Sequence, residues 1–107
     1  MRATPRLLTV TVLTSTPQSL FDLLHAIDSD TEDHAQALQL QVDPLAGGDI
    51  IYVGNSDLVI ATQWGVELSA GQVYPVPSMS SNLLLLKQIY LATSGANTKV
   101  GVTVVTR

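Results

Sequence analysis

Cysteine is absent from the 107 residues, which excludes disulfide frameworks, thiolate-bound zinc and thiol catalysis. Charge is scarce as well: Asp, Glu, Lys and Arg supply 13% of the chain, against roughly 25% in an ordinary soluble domain. Between Arg6 and Lys87 there is no Lys or Arg, and all nine acids fall in that interval. A net charge of −4 without a basic cluster argues against nucleic acid as the main partner, because neutralising phosphates requires one. No apolar run exceeds that of Leu83 to Leu86, far short of the ~20 residues that span a bilayer, so no membrane partner is expected.

Motifs that carry chemistry are missing too. Gly47-Gly48 has neither the spacing nor the following helix of a phosphate cradle, and no Gly-x-Ser-x-Gly elbow marks a nucleophile. The acidic run Asp28 to Asp33 invites a calcium-loop reading, but its sixth position is Asp33 instead of Gly and its twelfth is Gln39 instead of Glu, so the pattern fails. His25 and His34 are too few for a zinc site of their own. The expectation is a protein that is not an enzyme and takes no metal or cofactor.

What is present is a core-forming pattern. Hydrophobic residues make up 46% of the chain, and the length is that of one domain, residues 1–107. From Leu7 to Thr14, apolar Leu8, Val10 and Val12 alternate with Thr9 and Thr11, the period of a strand buried on one face and unlike the apolar stretch of a signal peptide. Thr16 before Pro17, followed by Leu20, Phe21, Leu24 and Ile27, predicts one short helix from Pro17 to about Ile27, capped by Thr16. The polar segment from Asp28 to Asp33 then predicts an exposed loop.

Leu38, Leu40 and Val42 alternate with Gln39 and Gln41, and Asp43 to Gly48 supplies turn residues before Ile50 to Val53; together these predict a β-hairpin. Short strands follow at Leu58 to Ala61, Gly65 to Leu68 and Val73 to Val76, the last confined to an edge or bend by Pro75 and Pro77. Asn82 to Lys87 admits one turn of helix. Ile89 to Thr93, a turn at Ser94 to Asn97, and a final strand carrying Val100, Val102 and Val104 complete the series. Turn signals every 8–12 residues predict an all-β fold, an antiparallel sandwich or barrel with one short α-helix.

Trp64, Tyr52, Tyr74 and Tyr90 pack by default in a core or an interface; a sugar-binding reading requires them exposed together on one face. Positive charge at the chain ends either meets the acidic middle of a second copy or folds back onto the chain's own acidic loops. Charged edge positions are one way β proteins prevent strand pairing between molecules. A domain this poor in charge is expected to associate.

From Leu38 onward the order of elements resembles small β-sandwich structural proteins of tailed bacteriophages. The resemblance rests on Leu38-Gln-Leu-Gln-Val42 and its Gly-containing turn, Ile51-Tyr-Val-Gly-Asn-Ser-Asp57, Gly65-Val-Glu-Leu-Ser-Ala-Gly71, Ile89-Tyr-Leu-Ala-Thr-Ser-Gly95 and Val100-Gly-Val-Thr-Val104. Met1 to Leu13 add a strand outside that pattern, at an N-terminal end expected to be mobile. The resemblance implies a jelly-roll-like antiparallel β-sandwich that serves as a capsid decoration (cement) protein, made in the bacterial host cytoplasm and located in the virion. It implies a homo-oligomer whose partners are the major capsid protein or other virion proteins. Candidate interface residues are Arg2, Arg6, Leu83, Leu84 and Arg107. The alternatives are a head-tail connector or tail component, or a carbohydrate-binding β module.

Overall fold

The computed structural model describes residues 4–32, 34–76 and 84–106. Ten strands appear among them: β1 (Thr4–Val12), β2 (Gln18–Ser19), β3 (His34–Ala35), β4 (Ala37–Val42), β5 (Ile51–Gly54), β6 (Val66–Leu68), β7 (Val73–Val76), β8 (Leu84–Leu85), β9 (Tyr90–Thr93) and β10 (Thr98–Thr106). A six-residue helix, α1 (Leu20–His25), follows β2, and a 3-10 turn, Leu86–Gln88, follows β8. The pairings obey one rule. β1 pairs with β10, β2 with β9, β3 with β8, β4 with β7 and β5 with β6, all antiparallel. The chain is thus one long hairpin whose tip is the β5–β6 connection.

Rolling that hairpin adds the pairs β10–β4 and β9–β5. Two four-stranded sheets result: sheet 1, in the order β1-β10-β4-β7, and sheet 2, in the order β2-β9-β5-β6. This nested arrangement is the jelly roll, so the expected fold class holds.

Period-two alternation decides which side of each strand is buried. Val10 and Val12 of β1, Val100, Val102 and Val104 of β10, and Leu38, Leu40 and Val42 of β4 all point inward. Sheet 2 answers with Ile51, Val53, Leu68 and Leu91, and α1 contributes Leu20, Leu23 and Leu24 to the same core. Each such side chain stabilises the fold by about 1.5–3 kcal/mol through burial.

Three local expectations are corrected. Leu38–Val42 and Ile51–Gly54 do not form a hairpin but lie in different sheets, because the eight residues 43–50 between them make two successive turns, Ala46 N–H to Asp43 O and Asp49 N–H to Ala46 O. Both arrangements bury the same alternating residues, so hydrophobic pattern alone does not distinguish them. The segment Leu58 to Ala61 is a run of turns instead of a strand, with Leu58 N–H donating to Asn55 O and Val59 bridging only Gln63. The helix is shorter than predicted: Ser19, not Thr16, is its N-cap, its Oγ accepting from Asp22 N–H at 3.1 Å. Residues 18–19 pair with β9 before the helix begins, and Thr16 sits in a local turn on Thr14 Oγ1.

The sheet edges carry features other than charge that limit strand addition. β7 carries Pro75, β6 has three residues, β2 has two, and α1 packs alongside β1. Short strands, proline and a covering helix are alternative ways to block strand addition.

Candidate functional site

The outward side chains of the two sheets and the loops between strands form the broad surfaces of the domain. On sheet 1 the register builds it row by row. Leu7, Thr103, Gln39 and Pro75 form one row across β1, β10, β4 and β7; Thr9, Gly101, Gln41 and Val73 form the next. Val105 and Ala37 flank one side, Thr11 and Lys99 the other. Among the described residues, charge on this face is confined to one end, where Lys99 stands beside Asp43. Leu7 is 77% exposed and Val73 48% exposed, large apolar groups left in water at the two margins.

Gly101, lacking a side chain, leaves a shallow depression of about 370 Å³ between Thr9, Gln41, Asp43, Pro44 and Lys99. Gln41 Nε2 donates to Gly71 O across the end of this face. The face is therefore flat, neutral and rich in hydroxyl and amide groups.

Sheet 2 differs. Tyr52 alternates with core Ile51 and Val53, so it points outward, and Glu67 stands opposite it on β6. Trp64 lies 5.7 Å from Tyr52 between ring centroids, tilted 59°. Gly54, Asn55, Gln63, Trp64 and Gly65 line a cleft of about 330 Å³ at the β5–β6 tip. Tyr90 stands across from Gly54 in the β9 pairing. Tyr74 belongs to sheet 1 and packs against the core.

Of the residues singled out in the sequence, Arg6 forms an ion pair with Asp28 of the same chain. For Arg6 this is the fold-back reading of the charge pattern. Asp28 is further engaged by its own loop, its Oδ1 accepting from Asp30 N–H at 3.0 Å and its carbonyl from Thr31 Oγ1 at 2.7 Å. Leu84 supplies backbone to β8, paired with Ala35. Leu85 is half-exposed and Leu86 buried, while Arg2, Leu83 and Arg107 lie outside the described residues. His25 stacks on Phe21, over which Lys87 Nζ sits at 4.9 Å; His34 lies on β3, 3.9 Å from Glu32. The structure does not bring the two histidines together as a pair.

A polar chain that no local pattern signals ties the β4–β5 crossing to the β9–β10 turn. Gly95 N–H donates to Thr93 Oγ1 at 3.1 Å, the Thr93 and Thr98 hydroxyls meet at 2.6 Å, and Thr98 Oγ1 donates to Asp49 Oδ2 at 2.9 Å. Thr93 and Thr98 are buried, so this chain is a staple and no substrate reaches it. A Cβ at Gly95 would collide with the Asp49 carboxylate. No family model, curated protein or solved structure matches the chain.

Proposed function

We propose that the chain is a structural protein of a tailed-bacteriophage virion, a decoration protein that assembles as a homo-oligomer and reinforces the head lattice. The observation that carries this reading is the neutral outer face of sheet 1, edged by Leu7 and Val73. Jelly rolls are a recurrent framework of viral shell proteins, although the fold also serves lectins and enzymes, and it is the surface that selects among them.

Four strands ~4.8 Å apart and seven residues at ~3.4 Å give this face an area of ~400 Å². That is about half of what each partner buries in a stable pairwise interface. One contact is therefore weak, and affinity comes from many copies engaging a repeating lattice together. Because charge on the described part of the face is confined to Lys99 and the neighbouring Asp43 at one end, docking should depend little on ionic strength.

The test is the copy number of this chain relative to the major capsid protein in purified particles of the phage that encodes it. A ratio near one, or a fixed large fraction of it, supports decoration. A handful of copies places the chain at the connector or tail, and absence from particles overturns the virion reading.

A further inference from the structure

We infer that the cleft at the β5–β6 tip is a binding subsite for a neutral saccharide. The inference stands on its own residues and does not depend on the virion reading. Trp64 is 45% exposed, a large aromatic ring left partly in water although such rings bury well in a core or an interface. Its contact with Tyr52 holds the indole in place, so presenting that ring to a ligand costs little additional ordering.

Around the ring the chemistry is amide and glycine. The Asn55 Oδ1 accepts from Asp57 N–H at 2.9 Å, which fixes the side chain and leaves its NH₂ group to donate elsewhere. The backbone of Gln63 is tied to Val59, while its side-chain amide and the Trp64 Nε1–H make no hydrogen bond with the described residues. Gly54 and Gly65 let the tip pack closely, a Cβ at either pressing on Leu58 or the Val53 carbonyl, and Tyr90 stands across from Gly54 on the neighbouring strand.

An aromatic surface beside the fixed Asn55 donor and the unengaged Gln63 side-chain amide matches a sugar ring, which presents an apolar C–H face and a rim of hydroxyls. The amides satisfy those hydroxyls in both directions. Among the described residues no Lys or Arg lines the cleft, and Glu67 stands opposite Tyr52, so phosphorylated and acidic sugars are disfavoured. A nucleic-acid strand is disfavoured for the same reason, since its backbone needs cations.

Trp64 is the chain's single tryptophan, so intrinsic fluorescence reports this cleft alone. The full chain is titrated with maltohexaose, cellohexaose and the hexamer of N-acetylglucosamine, with hexagalacturonate as the acidic comparison, each up to about 10 mM, where even millimolar affinity saturates. The expected result is a saturable change in Trp64 emission with at least one neutral hexasaccharide and none with the acidic one. Gln63→Ala, which keeps the reporter, should weaken binding about three- to tenfold. Trp64→Ala, followed by calorimetry, should abolish it while the thermal midpoint stays put; if that variant proves unstable, Gln63→Ala decides. No response to any neutral sugar, a response to hexagalacturonate alone, or undiminished binding by folded Trp64→Ala or Gln63→Ala overturns the inference.

Discussion

The two outer faces of this jelly roll are built on the same inward pattern yet present opposite surfaces. Sheet 1 turns out Thr, Gln, Val and Leu in a flat neutral array, whereas sheet 2 turns out Tyr52 and Glu67 beside the Trp64 cleft. Inward positions are constrained by one shared core; outward positions are free to specialise. The broad, shallow face suits repeated docking to another protein surface, and the narrow aromatic cleft suits a small polar ligand.

The largest effect should come from the layer that both faces share. Leu40 is fully buried on β4, and Leu40→Ala should destabilise the chain by about 2–5 kcal/mol through lost burial and the cavity left behind. Guanidinium denaturation followed at Trp64 and by far-ultraviolet circular dichroism should give coincident transitions, since one core supports both sheets. Separate transitions would mean that the faces are independently stable and would break the comparison at its root.

The next effect tests how the sheets are joined. Gly95→Ala pushes the Asp49 carboxylate away from Thr98 and leaves two buried hydroxyls without their terminal acceptor. A loss of about 1–3 kcal/mol is expected. In an Asp49→Ala background the same substitution should cost little more, because the group it collides with is gone. Chemical denaturation of the single and double variants measures this non-additivity; full additivity would show that the staple does not act as a unit.

Ser19→Ala should cost about 1 kcal/mol, the usual worth of an N-cap hydroxyl, lowering the thermal midpoint by roughly 4–8 °C for a domain near this size. Because α1 packs alongside β1, fraying it should also raise concentration-dependent association if the helix is what guards that edge, measurable by sedimentation. A variant that loses stability without associating would mean that β1 is blocked by something other than the helix.

Such linkages explain which parts of the molecule were legible in the sequence. Val100, Val102 and Val104, with Leu38, Leu40 and Val42, announce strands because burying one face imposes a period of two. Pro75 announces an edge because it cannot donate to a ladder. The partner of β4 was not legible, since a hairpin and a crossing bury the same residues and turn chemistry marks a reversal without saying where it leads. The helix start was misplaced for a similar reason: Thr16 and Ser19 are both competent caps, and the pairing of residues 18–19 with β9 chooses between them. Of the candidate sites, the charge pattern anticipated that Arg6 could meet an acidic loop, whereas Tyr52 and Trp64 meet only because the hairpin tip folds back. Asp49 and Thr98, 49 residues apart, carried no signal at all.

The smallest effect on stability is the most informative about the two faces. Leu7 projects into water from β1, so Leu7→Asp should change folding stability by less than about 0.5 kcal/mol. On a particle the same carboxylate would be desolvated against a lattice surface, with no basic side chain among the described residues of its row across the face, and unpaired buried charge is strongly unfavourable. Occupancy of purified particles by the variant should therefore collapse although the free protein melts normally, while its Trp64 response to a neutral hexasaccharide stays as in the parent. Trp64→Ala should do the reverse, keeping occupancy and losing the sugar. Loss of both properties in either variant would mean that the faces act as one surface, and the division of labour between sheet 1 and sheet 2 would have to be abandoned.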